Sequence, residues 1–212
     1  MMRRRRFVGL VNETPLLLGV STSFIIHEGD SITQAGWGGT TDTTVYPYMA
    51  DHMFSSAFPN LNNATGGLTI ALIAARGWQM DALYDATRPA NLFSVLIGHN
   101  DLDSGARDPV DMVADLKTYC LARKATGWKV IVLTQLPSSF NPEFNARRNV
   151  ANTLTRADPS FYDALCDVGA DPVFGTDASG ADTEIYLDGI HPTPATHARM
   201  APYLYASMQS LL

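Results

Sequence analysis

Apolar residues along this chain gather in short runs, each closed by polar, Gly-rich chain. Phe24-Ile25-Ile26 leads into His27-Glu28-Gly29-Asp30-Ser31, which reads as a buried strand over 23–28 delivering a serine to a sheet edge. Phe58 to Ala64 is a short candidate second strand. Asn91 to Ile97 predicts a third strand, Lys129 to Thr134 a fourth and Ala164 to Val168 a fifth. The third and fourth are nearly continuous apolar runs, the pattern of strands covered on both faces.

Between the strands the period changes to that of helices. A helix is expected from about Tyr46 to Ser56, with Pro47 in its first turn. Thr69 to Arg88 has helical composition, with a break expected at Gly77. The clearest start is Asp108-Pro109-Val110-Asp111, where Asp108 suits an N-cap and Asp111 favours the helix dipole. Met112, Val113, Leu116 and Cys120 form the apolar stripe of that helix, and Gly127 stops it. Residues 136–146 read as loop, 147–157 as polar helix and 169–184 as a long polar segment. A last helix is expected from about Thr193, kinked or split by Pro202, with Met200, Leu204, Met208 and Leu211 on its core face.

Strand–helix alternation of this kind predicts a parallel sheet with helices on both faces. Active groups then gather beyond the carboxyl ends of the strands. Ser31, the stretch Thr65 to Gly67 and the stretch Gly98 to Asp101 each follow a predicted strand, so all three are expected on one rim.

Length and charge narrow the function. The 212 residues suit one domain over 23–212, preceded by an arm or edge segment over 1–22. A net charge of -6 argues against bulk nucleic-acid binding. No stretch reaches the ~18 apolar residues of a membrane span. Cys120 and Cys166 are far apart, form no CxxC motif and read as free buried thiols. Arg3 to Arg6 precede a short apolar run interrupted by Asn12 to Pro15, a poor fit to a cleaved signal peptide. A cytoplasmic or particle-associated location is expected. The arginine run is expected to dock on an acidic surface of this chain, of a second subunit or of an assembly partner.

The chemistry centres on Ser31. A serine hydroxyl needs a base within hydrogen-bond reach, and the base needs an orienting partner. Asp188-Gly189-Ile190-His191 supplies both across a tight turn. Acyl transfer also needs donors for a developing oxyanion. The Ser31 N–H, the Gly67 N–H and the Asn100 side-chain amide are candidates. Asp30 and Asp101 read as structural supports, and His27, His52, His99 and His197 as surface or packing residues. Trp37, in a Gly-rich loop, and His99, between motif residues, are also candidate substrate contacts.

Gly29-Asp30-Ser31-Ile32-Thr33, Gly67, Gly98-His99-Asn100-Asp101 and Asp188 to His191, in that order, resemble the four blocks of the GDSL, or SGNH, hydrolase superfamily. The resemblance spans residues 24–193. It implies a three-layer α/β/α sandwich with a flavodoxin-like, five-stranded parallel sheet, and hydrolysis of esters or related acyl groups. It also implies Ser31 as nucleophile, His191 as base, Asp188 as its partner, and Ser31, Gly67 and Asn100 as the oxyanion hole. Gly66 beside Gly67 leaves open which of the two donates.

The expected reaction uses no cofactor and no metal ion. Polar, Gly-rich loops at 34–45, 136–146 and 169–187 favour a small acyl group, such as an acetyl ester, on a polar or glycan leaving group. Two other classes fit parts of the sequence. One is a recognition module on a virion or cell-surface particle that carries the same domain. The other is a metal-dependent phosphoesterase, disfavoured because no late His-x-His follows the His99-Asn100 pair.

Overall fold

The computed structural model describes residues 22–55 and 58–212. The arm, its arginine run and the expected docking of that run lie outside the described residues, apart from residue 22. So does Ser56, the expected end of the first helix.

Five strands form one parallel sheet in the order β2-β1-β3-β4-β5. They are β1 (Phe24–Gly29), β2 (Asn60–Asn62), β3 (Asn91–Leu96), β4 (Lys129–Leu133) and β5 (Ala164–Cys166). Among the described residues six α-helices accompany them: α1 (Tyr46–Asp51), α2 (Ile70–Asp81), α3 (His99–Leu102), α4 (Pro109–Thr126), α5 (Phe144–Ala157) and α6 (Pro194–Gln209).

The apolar runs divide by parity, because successive side chains point to opposite faces of a strand. Ile25, Leu92, Leu96, Ile131 and Leu133 face one core with Tyr46, Met200, Leu204 and Met208 of α1 and α6. Ile26, Phe93, Val95, Val130 and Val132 face the other with Ile73, Leu116, Cys120 and Phe144 of α2, α4 and α5. Both faces need apolar residues, which is why these strands show no amphipathic alternation. The result is the three-layer sandwich that the resemblance implied.

Helix ends follow local chemistry. Asp108 caps α4 by accepting the Val110 N–H at 2.8 Å, and Gly127 ends that helix in the left-handed region. Thr193 caps α6 ahead of Pro194. Cys120 and Cys166 are both free and buried.

Several boundaries differ from those expected. Helix α2 runs through Gly77 without a break and ends at Asp81. The glycine is there for room: a Cβ would meet the guanidinium of Arg123, which pairs with Asp81 at 2.8 Å. Helix α5 begins three residues early, because Phe144 is fully buried and anchors its first turn. Pro202 does not split α6; it removes one N–H from a helix that continues to Gln209. The segment 169–184 contains a short 3-10 turn, Asp177–Ala181, capped by Thr176.

Gly29 closes β1 at a crowded point. A Cβ there would lie 2.6 Å from the Leu96 carbonyl oxygen, a backbone atom that cannot swing away. Gly29→Ala is therefore expected to lower unfolding stability by about 3 kcal/mol or more. Urea denaturation followed by circular dichroism measures this, and a loss below about 1 kcal/mol would contradict the packing argument.

Candidate functional site

The rim beyond the strand ends collects polar groups from five segments. Ser31 sits in the turn after β1. The carboxylate of Asp30 accepts the Ile32 N–H at 3.0 Å, and its carbonyl accepts the Thr33 and Gln34 N–H groups. Among the described residues, no acceptor is bonded to the N–H of Ser31 itself. The turn thus spends its neighbours' donors and leaves that one free.

The loop after β2 is tied to the turn bearing Ser31 along its length. The Asn63 N–H donates to the His27 carbonyl at 2.8 Å, and the Thr65 N–H to the Gly29 carbonyl at 3.1 Å. Asn62 Nδ2 donates to the Thr33 carbonyl at 2.9 Å. The Gly66 N–H is taken by Gln34 Oε1 at 2.7 Å. The Gly67 N–H, at a residue with φ +78°, has no acceptor among the described residues. Asn100 enters from the short helix α3, one N–H of its amide donating to the Leu68 carbonyl at 2.9 Å. Its second amide hydrogen remains for another acceptor.

The Asp188–His191 turn arrives from the far end of the sequence. Its backbone is held by the Ser139 N–H on the Gly189 carbonyl at 2.9 Å and the Leu187 N–H on the His191 carbonyl at 3.0 Å. His191 Nδ1 lies 2.7 Å from Asp188 Oδ2, and His191 Nε2 lies 2.8 Å from Ser31 Oγ. Asp188 Oδ1 accepts the N–H groups of Ile190 and His191. Burial pushes the Asp188 carboxyl up, but these hydrogen bonds together outweigh it and hold the group below its ordinary range. An ionised Asp188 accepts from Nδ1–H, which leaves Nε2 as the acceptor for the serine hydroxyl.

The other expected site residues divide. Trp37 stacks on His191, with ring centroids 4.9 Å apart and planes at 24°, and is 44% exposed. His99 is 3% exposed and packs on Phe144 with ring centroids 4.4 Å apart. Burial withdraws it from direct contact with a ligand and pushes its imidazole down to about 3, so the expected substrate contact there becomes packing. Asp101 caps α2 by accepting the Ile70 N–H at 3.1 Å.

Two networks were not anticipated from the residues. Beneath β1, His27 Nδ1 meets Ser94 Oγ at 2.7 Å and Nε2 meets Asp51, all three fully buried or nearly so. Beside it, buried Glu28 accepts from Arg76 at 2.5 Å and from Asn63 Nδ2 at 3.1 Å. Arg76 also donates to the Asn63 carbonyl. The only sequence signal was a carboxylate inside an apolar strand, which must be paired if it is buried. Among the described residues, no group of three or more His, Cys, Asp or Glu side chains is placed to hold a metal ion. No described helix is long and apolar enough to cross a membrane.

A serine, a histidine and an aspartate thus stand in hydrogen-bonded line at the carboxyl rim of a parallel α/β sandwich. The chain matches the GDSL-like lipase/acylhydrolase family over residues 29–199 and belongs to that family. It is accordingly an enzyme of the ester-hydrolysing class. Similar solved structures include a lipolytic G-D-S-L family protein from Veillonella parvula (18% identity, 89% of this chain and 100% of that one, TM-score 0.71). TesA is 24% identical over 89% of this chain and 99% of its own, with TM-score 0.67. Est24, a carbohydrate acetylesterase from Sinorhizobium meliloti, is 14% identical over 89% and 99%, also with TM-score 0.67. At these identities the likeness is one of fold. No curated protein sequence matches the chain.

Asp30 is a fully buried carboxyl whose hydrogen bonds to the turn do not offset its burial. Its Oδ2 is buried without a partner, and burial pushes the group from its ordinary 3.8 up to about 7. The folded state therefore holds this proton more tightly than the unfolded chain. The stability gained is whole below about pH 4 and lost as pH rises through 7, on the order of 4 kcal/mol in all. Relative to wild type, Asp30→Asn is expected to become steadily more stable between pH 4 and pH 8. Urea titrations of both proteins across that range check it, and parallel curves would contradict it.

Proposed function

We propose that this chain is a serine esterase working through an acyl-enzyme, with Ser31 as nucleophile, His191 as general base and acid, and Asp188 orienting the imidazole. The observation that carries the reading is the line from Ser31 Oγ through His191 to Asp188, at 2.8 and 2.7 Å. Nε2 of His191 takes the hydroxyl proton as Oγ bonds to the ester carbonyl carbon. The carbonyl oxygen becomes an oxyanion facing the N–H groups of Ser31 and Gly67 and the amide of Asn100. Each such donor is worth roughly 3–4 kcal/mol in the transition state. Collapse of the intermediate breaks the bond to the leaving alkoxide, which takes the proton from His191. Water then repeats the sequence on the acyl-enzyme and releases the acid. The chemistry requires no cofactor.

Gly67 rather than Gly66 is the donor in this reading, because the Gly66 N–H is already engaged by Gln34. The preferred substrate is a short acyl ester, such as an acetyl group, on a carbohydrate. Trp37 supports the choice: it is half-exposed beside the nitrogen that protonates the leaving group, where a flat indole can receive the apolar face of a sugar ring. The fold shared with Est24, a carbohydrate acetylesterase, is consistent with it.

Ser31→Ala should lower turnover of p-nitrophenyl acetate by at least about 1,000-fold while circular dichroism stays unchanged. Undiminished turnover would remove Ser31 from the mechanism. Among p-nitrophenyl esters the wild type should prefer acetate to butyrate and butyrate to octanoate in kcat/KM, and the reverse order would count against a small acyl pocket.

A further inference from the structure

We propose that Gln34, which lies outside every matched block, is a positioning residue that holds the oxyanion loop and the wall behind His191 in register. The inference rests on the roles proposed above for Ser31, His191 and Gly67.

One atom carries the argument. Gln34 Oε1 accepts the Gly66 N–H at 2.7 Å and the Trp37 indole N–H at 3.2 Å. Both partners are donors only, so the atom facing them must be the carbonyl oxygen of the amide. Gln34 is itself anchored in the nucleophile turn, its N–H donating to the Asp30 carbonyl at 3.0 Å. A single side chain thus joins the turn bearing Ser31, the loop bearing Gly67 and the indole stacked on His191.

Each link has a geometric consequence. Gly66-Gly67 is a pair of residues with wide backbone freedom, and an unpinned loop of this kind can rotate its peptide planes. Engaging the Gly66 N–H fixes one plane and leaves the next N–H, that of Gly67, unbonded at the rim. Trp37 is fixed by the same oxygen. Its ring edge lies so close to Gly66 that a Cβ on that residue would sit 3.0 Å from the indole. Its face covers the imidazole. Gln34 touches no reacting atom in the proposed mechanism and acts through these two neighbours.

Gln34→Met keeps the length of the side chain and removes the strong acceptor. It should lower kcat for p-nitrophenyl acetate by about tenfold to a hundredfold, the range expected for a misplaced group, with KM within about threefold. The indole N–H resonance of Trp37, assigned by its disappearance in Trp37→Phe, should move as its hydrogen bond is lost. Gln34→Asn has the same amide one methylene short and should behave alike, which keeps the test open if one variant folds poorly. Adding Gln34→Met to Trp37→Phe should lower kcat further, because the Gly66 link is still there to be broken.

A kcat within twofold of wild type in either folded variant would overturn the proposal. So would a change confined to KM, an unmoved indole resonance, or a double variant no slower than Trp37→Phe alone. Failure of the underlying mechanism would look different: turnover would then survive Ser31→Ala whatever the Gln34 variants do.

Discussion

The hydrogen bond between Ser31 and His191 joins residues 160 positions apart. A bond of this kind contributes about 1 kcal/mol net, whereas closing so long a loop costs about 4–5 kcal/mol in chain entropy. The bond therefore cannot assemble the site. The sheet and the helix layers bring the two ends together, and the bond reports that they have done so. Burial of Met200, Leu204 and Met208 of α6 against the β1, β3 and β4 face is what delivers the histidine turn to the rim.

Below the rim, two sets of polar side chains are buried together. His27 spans Ser94 of β3 and Asp51 at the end of α1, tying sheet to helix at a fully buried position. Glu28 gives both carboxylate oxygens to the loop after β2, one through Arg76 and one to Asn63 directly. Such pairs add little to stability over apolar packing, but breaking one leaves a buried charge unmatched. That penalty makes a displaced loop costly and keeps the backbone at 63–67 in place. Asp30 differs, with one oxygen serving the turn that bears Ser31 and the other without a partner, and both ring nitrogens of buried His99 are likewise without one.

Much of this was legible in the residues. Apolar runs located β3 and β4 most plainly, because a strand covered on both faces has little room for polar side chains. Asp108-Pro109 and Gly127 marked the ends of α4 because capping depends on a few neighbouring atoms. The Asp188–His191 contact was readable for the same reason, since the two residues are three apart in a tight turn. Where expectation failed, the deciding contact came from a distant segment. Gly77 looked like a break, yet it makes room for Arg123 from another helix. His99 read both as a packing residue and as a candidate substrate contact, and its ring packs on Phe144 of α5.

The sequence by itself determined the order of the strands along the chain, the apolar layers and the residue types able to perform acyl chemistry. All of these depend on local periodicity and short-range spacing. Only the tertiary structure decided which donors at the rim are free. Ser31 and Gly67 keep unbonded N–H groups because Asp30 engages the groups next to one and Gln34 the group next to the other. Whether a backbone donor is spent depends on which side chain, from 2 or 32 positions away, reaches it first. That is a question of register between loops, and periodicity along one chain carries no information about it.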